Sequence, residues 1–248
     1  MKMYQYLFVL TAALAFSSCQ KEKKNPPATE PVEFPGTTYQ TLGTFDADGT
    51  PNYLAGRDNI SDGMLDFIET TLVEQADLRT TRPDLLSNTA IADIAITQTS
   101  DVHITFVSQV TTASNAVAFY TYPTNKPPTT PKDIKTITYI FPNIGPSTKV
   151  KAGDKVKIGR FQPGTSIGFV LMKNAWDSTA NQLNNKVVHF CSNDALNPER
   201  DPALKKHAVL VNYPAENKML IGFENTDRTY ANCDHDFNDS VLYATITQ

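Results

Sequence analysis

From residue 91 to its C-terminus the chain is broken into ten short apolar runs, at 91–97, 102–110, 116–121, 134–141, 155–161, 167–172, 187–190, 208–212, 219–223 and 241–247. They are rich in β-branched and aromatic residues, and proline, glycine and asparagine recur between them. Runs this short suit strands better than helices, and their number and punctuation predict an antiparallel β-sandwich or jelly-roll-like fold. No repeat of fixed period relates one run to the next. The proline-rich stretch 123–131 reads as a long loop between strands or as a boundary between two subdomains.

One helix is expected ahead of the strands, at about 62–77. Met64, Leu65, Ile68, Leu72 and Val73 recur at helical spacing, Asp62 stands near the start, and Asp66, Glu69 and Glu74 fall on other faces. Beyond residue 35 about 210 residues remain, enough for one large β domain or two small ones. The 40% hydrophobic content is adequate for a core.

The first residues set the compartment. Lys2 precedes an apolar run over 7–16 and then Ser17-Ser18-Cys19. The run is far short of the ~20 residues a bilayer-crossing helix needs, so it reads as an export signal. Small residues directly before a cysteine resemble a bacterial lipoprotein signal, in which Cys19 becomes the lipidated first residue of the mature chain. Phe16 stands where such signals usually have an aliphatic residue, and an ordinary secretory signal is the alternative. Residues 20–35 are polar and proline-rich, with almost nothing apolar, and read as a disordered tether. The expected organisation is a signal peptide at 1–19, the tether at 20–35, an N-terminal region at 36–149 and a C-terminal β domain at 150–248. The expected location is the outer membrane of a Gram-negative bacterium, on its periplasmic face or at the cell surface, with the membrane contacted through the N-terminal lipid.

The chain carries a formal net charge of −4. Much of that surplus is local: residues 216–239 hold six acids against Lys218 and Arg228. No basic face stands out, and nucleic acid is not an expected partner. Within this stretch Asp234, Asp236, Asn238 and Asp239 crowd together, and side chains of this kind repel one another unless water or a hard cation screens them. Calcium, which takes roughly six to eight oxygens, is the expected cofactor, in a structural role.

The run is not an EF-hand. Counting from Asp234, position six is Asp239 where glycine is needed, and position twelve is Thr245 where a bidentate glutamate is needed. If the chain enters a strand at about Asn238, Asp234 and Asp236 lie in the preceding loop, Phe237 turns to the core, and Glu224 at the end of the previous strand completes the shell. The competing reading is that these acids only cap turns. A second, weaker metal candidate is Asp46 with Asp48 in the Asp-x-Asp-Gly stretch. Arg57 stands there where an EF-hand would have glutamate, and a β-turn with Gly49 at its tight position is the preferred reading.

Other chemistry finds little support. His235 would suit zinc only with partners, and His103, His189 and His207 lack close metal-ligand spacing. Gly164-Thr165-Ser166-Ile167-Gly168 matches a serine-hydrolase elbow on paper, but a turn precedes the serine and a strand follows it, the reverse of what that chemistry needs. No catalytic residue is assigned. With Cys19 lipidated, Cys191 and Cys233 remain as an even pair, which allows one disulfide in an oxidising compartment or two buried thiols.

Gly164 to Phe169, Asn174-Ala175-Trp176, Leu196-Asn197-Pro198-Glu199, His207-Ala208-Val209-Leu210, Gly222-Phe223-Glu224 and Asp234-His235-Asp236-Phe237-Asn238-Asp239 occur in the order of a known pattern. From about residue 150 onward the chain resembles a bacterial domain family of unknown function, number forty-one fourteen, as found in LruC-type surface lipoproteins of Bacteroidetes. Ile104 to Val107, Ala118 to Tyr122, Pro127-Pro128 and Ile140 to Asn143 look like the segment that precedes the domain in those proteins. The chain departs from the family at Asn225, where aspartate is usual, and at Ala175, where glycine is usual.

The resemblance implies a secreted or surface-attached β domain that binds calcium and has no established activity. The functional expectation is an envelope-anchored, non-catalytic binding or adhesion module whose partner is a glycan or an envelope or surface protein. The alternatives are an assembly component of a surface appendage or polysaccharide system, and a glycan hydrolase whose carboxylates meet only on folding.

Overall fold

A computed structural model describes residues 32–248. The expected export signal, Cys19 and most of the tether lie outside the described residues. In chain order the elements are β1 (Thr38–Thr41), α1 (Asp62–Thr71), α2 (Leu78–Thr81), β2 (Ile94–Ala95), β3 (Ser100–Gln109), β4 (Ala116–Pro123), β5 (Thr136–Phe141), β6 (Lys155–Phe161), β7 (Thr165–Met172), β8 (Trp176–Asp177), β9 (Gln182–Leu183), β10 (His189–Cys191), β11 (Ala208–Tyr213), β12 (Lys218–Phe223) and β13 (Ser240–Thr247). The protein is mainly β, and each of the ten expected runs contains a strand. Among the described residues no helix is long and apolar enough to cross a membrane.

Two sheets face each other. The first runs β1-β5-β4-β7-β10, with β2 also paired to β7, and β1 joins β5 in parallel. The second runs β11-β12-β13-β3-β6 and is antiparallel throughout. Both sheets combine strands from before and after residue 150, since β4 pairs β7 and β3 pairs β13.

Period-two alternation sorts the side chains between layers. Val117, Phe119, Ile167, Phe169 and Leu171 of the first sheet meet Val102, Ile104, Ile221, Phe223 and Leu242 of the second in the central core. The neighbouring positions Ala116, Ala118, Tyr120, Val170 and Met172 point to the opposite face, where they pack with Phe34, Ile137, Tyr139 and Leu196.

The outer face of the second sheet is covered by helix. Met64, Ile68 and Leu72 of the α1 segment and Leu78 of α2 pack on Val209, Leu220, Val241 and Tyr243. Ser61 caps α1 by accepting from the Met64 backbone N–H at 3.1 Å.

The helix is shorter than its apolar spacing predicts. It ends at Thr71, the Leu72 N–H closes the last turn on the Ile68 carbonyl, and Gln75 takes a left-handed backbone at φ 59°. That turn lets the Gln75 N–H reach the Asp236 carboxylate at 2.9 Å. A tertiary contact 161 residues away thus overrides local helix propensity.

Candidate metal centre

The site lies at one end of the second sheet. Strand β12 ends at Phe223 and β13 starts at Ser240, and these two residues are directly paired. Continuing that register past the strand ends sets Glu224 opposite Asp239, two carboxylates where like charges repel.

Glu224 is held by its backbone. Its N–H donates to the His207 carbonyl at 3.0 Å, and His207 Nδ1 donates to the Glu224 carbonyl at 2.9 Å. His207 is fixed in turn by Glu199 at 2.7 Å and by stacking on Phe190. The side chain of Glu224 is 0% exposed: Oε1 accepts from the Thr226 N–H, and Oε2 has no hydrogen-bond donor. Asp239 beside it accepts from the Asn225 N–H at 2.7 Å. Two carboxylates facing each other are satisfied only if one keeps a proton or a cation sits between them. Burial first, and then the charge of Asp239, push the Glu224 carboxyl up to about 9.

Beside this pair, Glu74, Asp234 and Asp236 each bring a carboxylate oxygen within 4.8 Å of the other two. Asp236 is buried, whereas Glu74 and Asp234 are exposed. Asp236 accepts from the N–H groups of Gln75 and Asn238. Burial, with Asp234 and Asp239 adding to it, raises its carboxyl to about 6. The Asn238 amide donates to Glu74 at 3.1 Å and ties the α1 segment to the loop. The Leu78 N–H makes a second tie to the His235 carbonyl at 3.1 Å.

The loop backbone alternates to achieve this. His235 and Phe237 take left-handed conformations at φ 60° and 61°. Phe237 is fully buried against the helical layer, while Asp234, Asp236 and Asn238 are left on the acidic side. The strand begins two residues later than expected, at Ser240, but Phe237 turns inward as the alternation argument requires.

All five expected ligands, Asp234, Asp236, Asn238, Asp239 and Glu224, therefore gather at one sheet end. They divide into an inner pair, Glu224 and Asp239, and an outer group of Asp234, Asp236 and Asn238. Sequence reasoning missed Glu74, which completes the outer group. It sits 160 residues before Asp234 on what reads as a solvent face of a helix, and no spacing signal points to it.

The donor set is oxygen only. His235 Nδ1 accepts from Arg228 Nε at 3.1 Å and lies 3.3 Å from Cys233 Sγ, so that ring nitrogen is already engaged. Burial and the nearby Arg228 and Arg79 charges hold the His235 ring down at about 4. Such carboxylate and amide oxygens fit a hard cation of the calcium class better than zinc.

Elsewhere the outcomes differ. Lys149 pairs with Asp46 at 3.2 Å and Asp48 at 2.6 Å, and Asp46 Oδ1 accepts from the Thr50 N–H across a turn with Gly49 at φ 80°. Hydrogen bonding shared with Asp46, and hydrogen bonds donated by Lys149 and Thr50, hold the Asp48 carboxyl low. A lysine stands where a cation would have to sit. Ser166 is the second residue of strand β7, with its hydroxyl 2.9 Å from that of Thr124.

The disulfide allowed by the cysteine count is not formed. Cys191 and Cys233 are free and buried, because Cys191 packs behind the first sheet while Cys233 faces His235 in the acidic loop. The carboxylates are held together by backbone hydrogen bonds and not by a bridge.

Residues 161–247 match the family model described as a domain of unknown function, DUF4114. The match contains every site residue except Glu74. No curated protein and no solved structure matches the chain.

Proposed function

We propose that this protein is a calcium-stabilised, non-catalytic binding or adhesion module of the bacterial cell envelope, anchored by a lipid on Cys19. The observation that carries this reading is the fully buried Glu224 oxygen without a donor, set against Asp239 and adjoining the Glu74, Asp234 and Asp236 carboxylates. A buried polar atom left unpaired costs about 1–3 kcal/mol, and a divalent cation removes that cost while offsetting the repulsion among its neighbours.

A stabilising role follows from the positions of the donors. Glu74 belongs to the helical layer, Glu224 and Asp239 to adjacent strand ends, and Asp234 and Asp236 to the loop between them. A cation shared by these groups fastens the loop and the helix to the sheet. The remaining surface loops are then presented from a rigid sandwich, which suits recognition of a partner.

The test is thermal melting of the chain from residue 20 onward, titrated with calcium and then with chelator. The melting temperature should rise with calcium as mass action requires, by about 2.7 kcal/mol of added stability at one hundred times the dissociation constant. A melting temperature indifferent to calcium and chelator overturns the reading.

A further inference from the structure

The helical layer rests on Val209, Leu220, Val241 and Tyr243, while His103 and Thr245, farther along the same face of the second sheet, stay partly exposed. There the strand register lines up a polar row, Lys218, Thr245, His103 and Lys157, on β12, β13, β3 and β6. The adjacent row on that face, two residues along each strand, holds Tyr243, Thr105 and Lys155. A cavity of about 300 Å³ opens over these rows, lined by Asn59, His103, Lys155, Lys218, Thr245 and Thr247, with Asp58 as its remaining wall. We propose that this cavity is a binding site for a small oxyanion, a carboxylate- or phosphate-bearing molecule whose negative group is held by Lys155, Lys218 and the Thr245 hydroxyl. It shares no residue with the acidic loop and does not depend on calcium.

The hydrogen bonds around the cavity fix the class of ligand. The carboxylates nearest the two lysines are already engaged. Asp58 accepts from Thr105 at 2.8 Å, from Tyr243 at 3.0 Å and from Lys155, and Glu216 accepts from Ser61 and from Lys218 at 2.7 Å. The donors have capacity left. Each ammonium group carries three protons and gives one to its carboxylate, which leaves two. Neither is a free surface lysine: the side chains of Lys155 and Lys218 are 25% and 12% exposed, and Lys218 Nζ lies 4.3 Å from the centre of the Tyr243 ring. The Thr245 Oγ1 atom is buried without a partner, and among the described residues no hydrogen bond engages the Asn59 or His103 side chain. A lining with spare donors and occupied carboxylates favours a ligand rich in acceptors.

Charge points the same way. Lys155, Lys157, Arg160 and Lys218 stand against Asp58, Asp101 and Glu216, four positive groups against three negative in a chain whose formal net charge is −4. His103 registers the balance, since burial first, and then Lys155 and Lys157 against the weaker pull of Asp101 and Asp58, lower its ring. A locally positive, partly desolvated pocket attracts an anion more strongly than the same charges would in open water.

The experiment follows the His103 ring protons by NMR in the chain from residue 20 onward, without added calcium, while inorganic phosphate, glucuronate or glucose is titrated at constant ionic strength. The signal is identified by its loss in His103→Gln. Phosphate stands for a phosphate-bearing ligand, glucuronate for a carboxylate-bearing one, and glucose for a similar sugar without the charge. Saturable displacement of the His103 signal by at least one of the two anions is expected, with the ring pKa rising on binding, and glucose should leave it in place. Thr245→Val removes the unpaired hydroxyl at nearly constant shape, so it should weaken anion binding ~10-fold with no loss of melting temperature. Lys218→Met keeps an aliphatic stem over Tyr243 and should weaken binding by at least as much.

A response to one anion alone supports the site and identifies the source of the negative group. No saturable displacement with either anion overturns the proposal, and so does an equal response to glucose. Anion binding untouched by both Thr245→Val and Lys218→Met means an adventitious ion only, and overturns it as well.

Discussion

Replacing Glu224 by glutamine separates the two states the inner site can adopt. Without a cation, the wild-type chain must either keep a proton on the buried Glu224 carboxyl at a pH where it would ordinarily be ionised, or ionise it against Asp239, and either state costs free energy. Glutamine has the same shape and places an N–H₂ donor where that oxygen stands, facing the Asp239 carboxylate. The substitution should therefore remove a cost of about 1–3 kcal/mol and raise the melting temperature in chelator at pH 8 by ~2–10 °C. With calcium present the order reverses, because the variant has lost a charged ligand and gains less from the ion.

The pH dependence has a definite sign. In the folded chain the Glu224 carboxyl is held at about 9 against an ordinary 4.5, so between those values the native state binds a proton that the unfolded state has released. Without calcium, wild-type stability attributable to this group falls as pH rises through that window. Asp236, raised to about 6, adds a fall in the same direction at lower pH. The Glu224→Gln advantage should accordingly be small at pH 5 and grow toward pH 8, and saturating calcium should reverse it. Melting curves for both proteins at the two pH values, with calcium and with chelator, check this. A variant less stable than wild type in chelator at pH 8, or one with an undiminished calcium response, would refute the reasoning.

Three further outcomes are expected. Asp236→Ala should abolish the calcium-dependent melting shift, whereas Asp48→Ala should leave most of it, since Lys149 already serves that turn; a calcium titration followed by melting compares the two. Gly222→Ala should destabilise by about 1–3 kcal/mol in urea, because its new methyl would lie 2.5 Å from both Leu72 Cδ1 and the Phe237 carbonyl, at the seam of helix, strand and acidic loop. Cys191 and Cys233 should both react with a thiol reagent in urea without prior reduction and resist it in the native protein, as measured by mass; a native disulfide would leave neither reactive.

The architecture was legible because strand alternation and strand length are local properties. Val117 and Phe119 face one way and Ala116 and Ala118 the other for reasons contained in eight consecutive residues. Strand β1 escaped notice because Thr38–Thr41 has one apolar residue and gains its place only by pairing with β5, about a hundred residues on. Strands β8 and β9, two residues each, carry no period to detect. The acidic residues of 234–239 were readable as a group because they are adjacent in sequence, and Glu224 because a strand end precedes it. The division into an inner pair and an outer group was not readable, since it depends on the register that sets Phe223 against Ser240.

Glu74 illustrates what sequence order hides and why it matters mechanically. Its position follows from two long-range facts, the docking of α1 on β12 and β13 and the left-handed turn at Gln75 that ends the helix early. A cation bridging Glu74 to Asp236 would close a loop of some 160 residues that contains most of both sheets. In the chain-entropy picture, cross-links across loops of that length stabilise most, and the dependence on length is shallow. The energetic weight of this site would then come less from its few coordinate bonds than from where they attach. Two of its three outer carboxylates are exposed, which suits the ~10⁻⁴–10⁻³ M calcium affinities of extracellular modules more than those of cytosolic buffers. A link of that strength would hold the helical layer down where calcium is plentiful and let it loosen where calcium is scarce. Chelation should therefore raise hydrogen exchange first in the α1 segment and in residues 224–239, while the amides of β4 and β7 in the first sheet stay protected; uniform exchange across both sheets would place the calcium effect on global stability instead of on this joint.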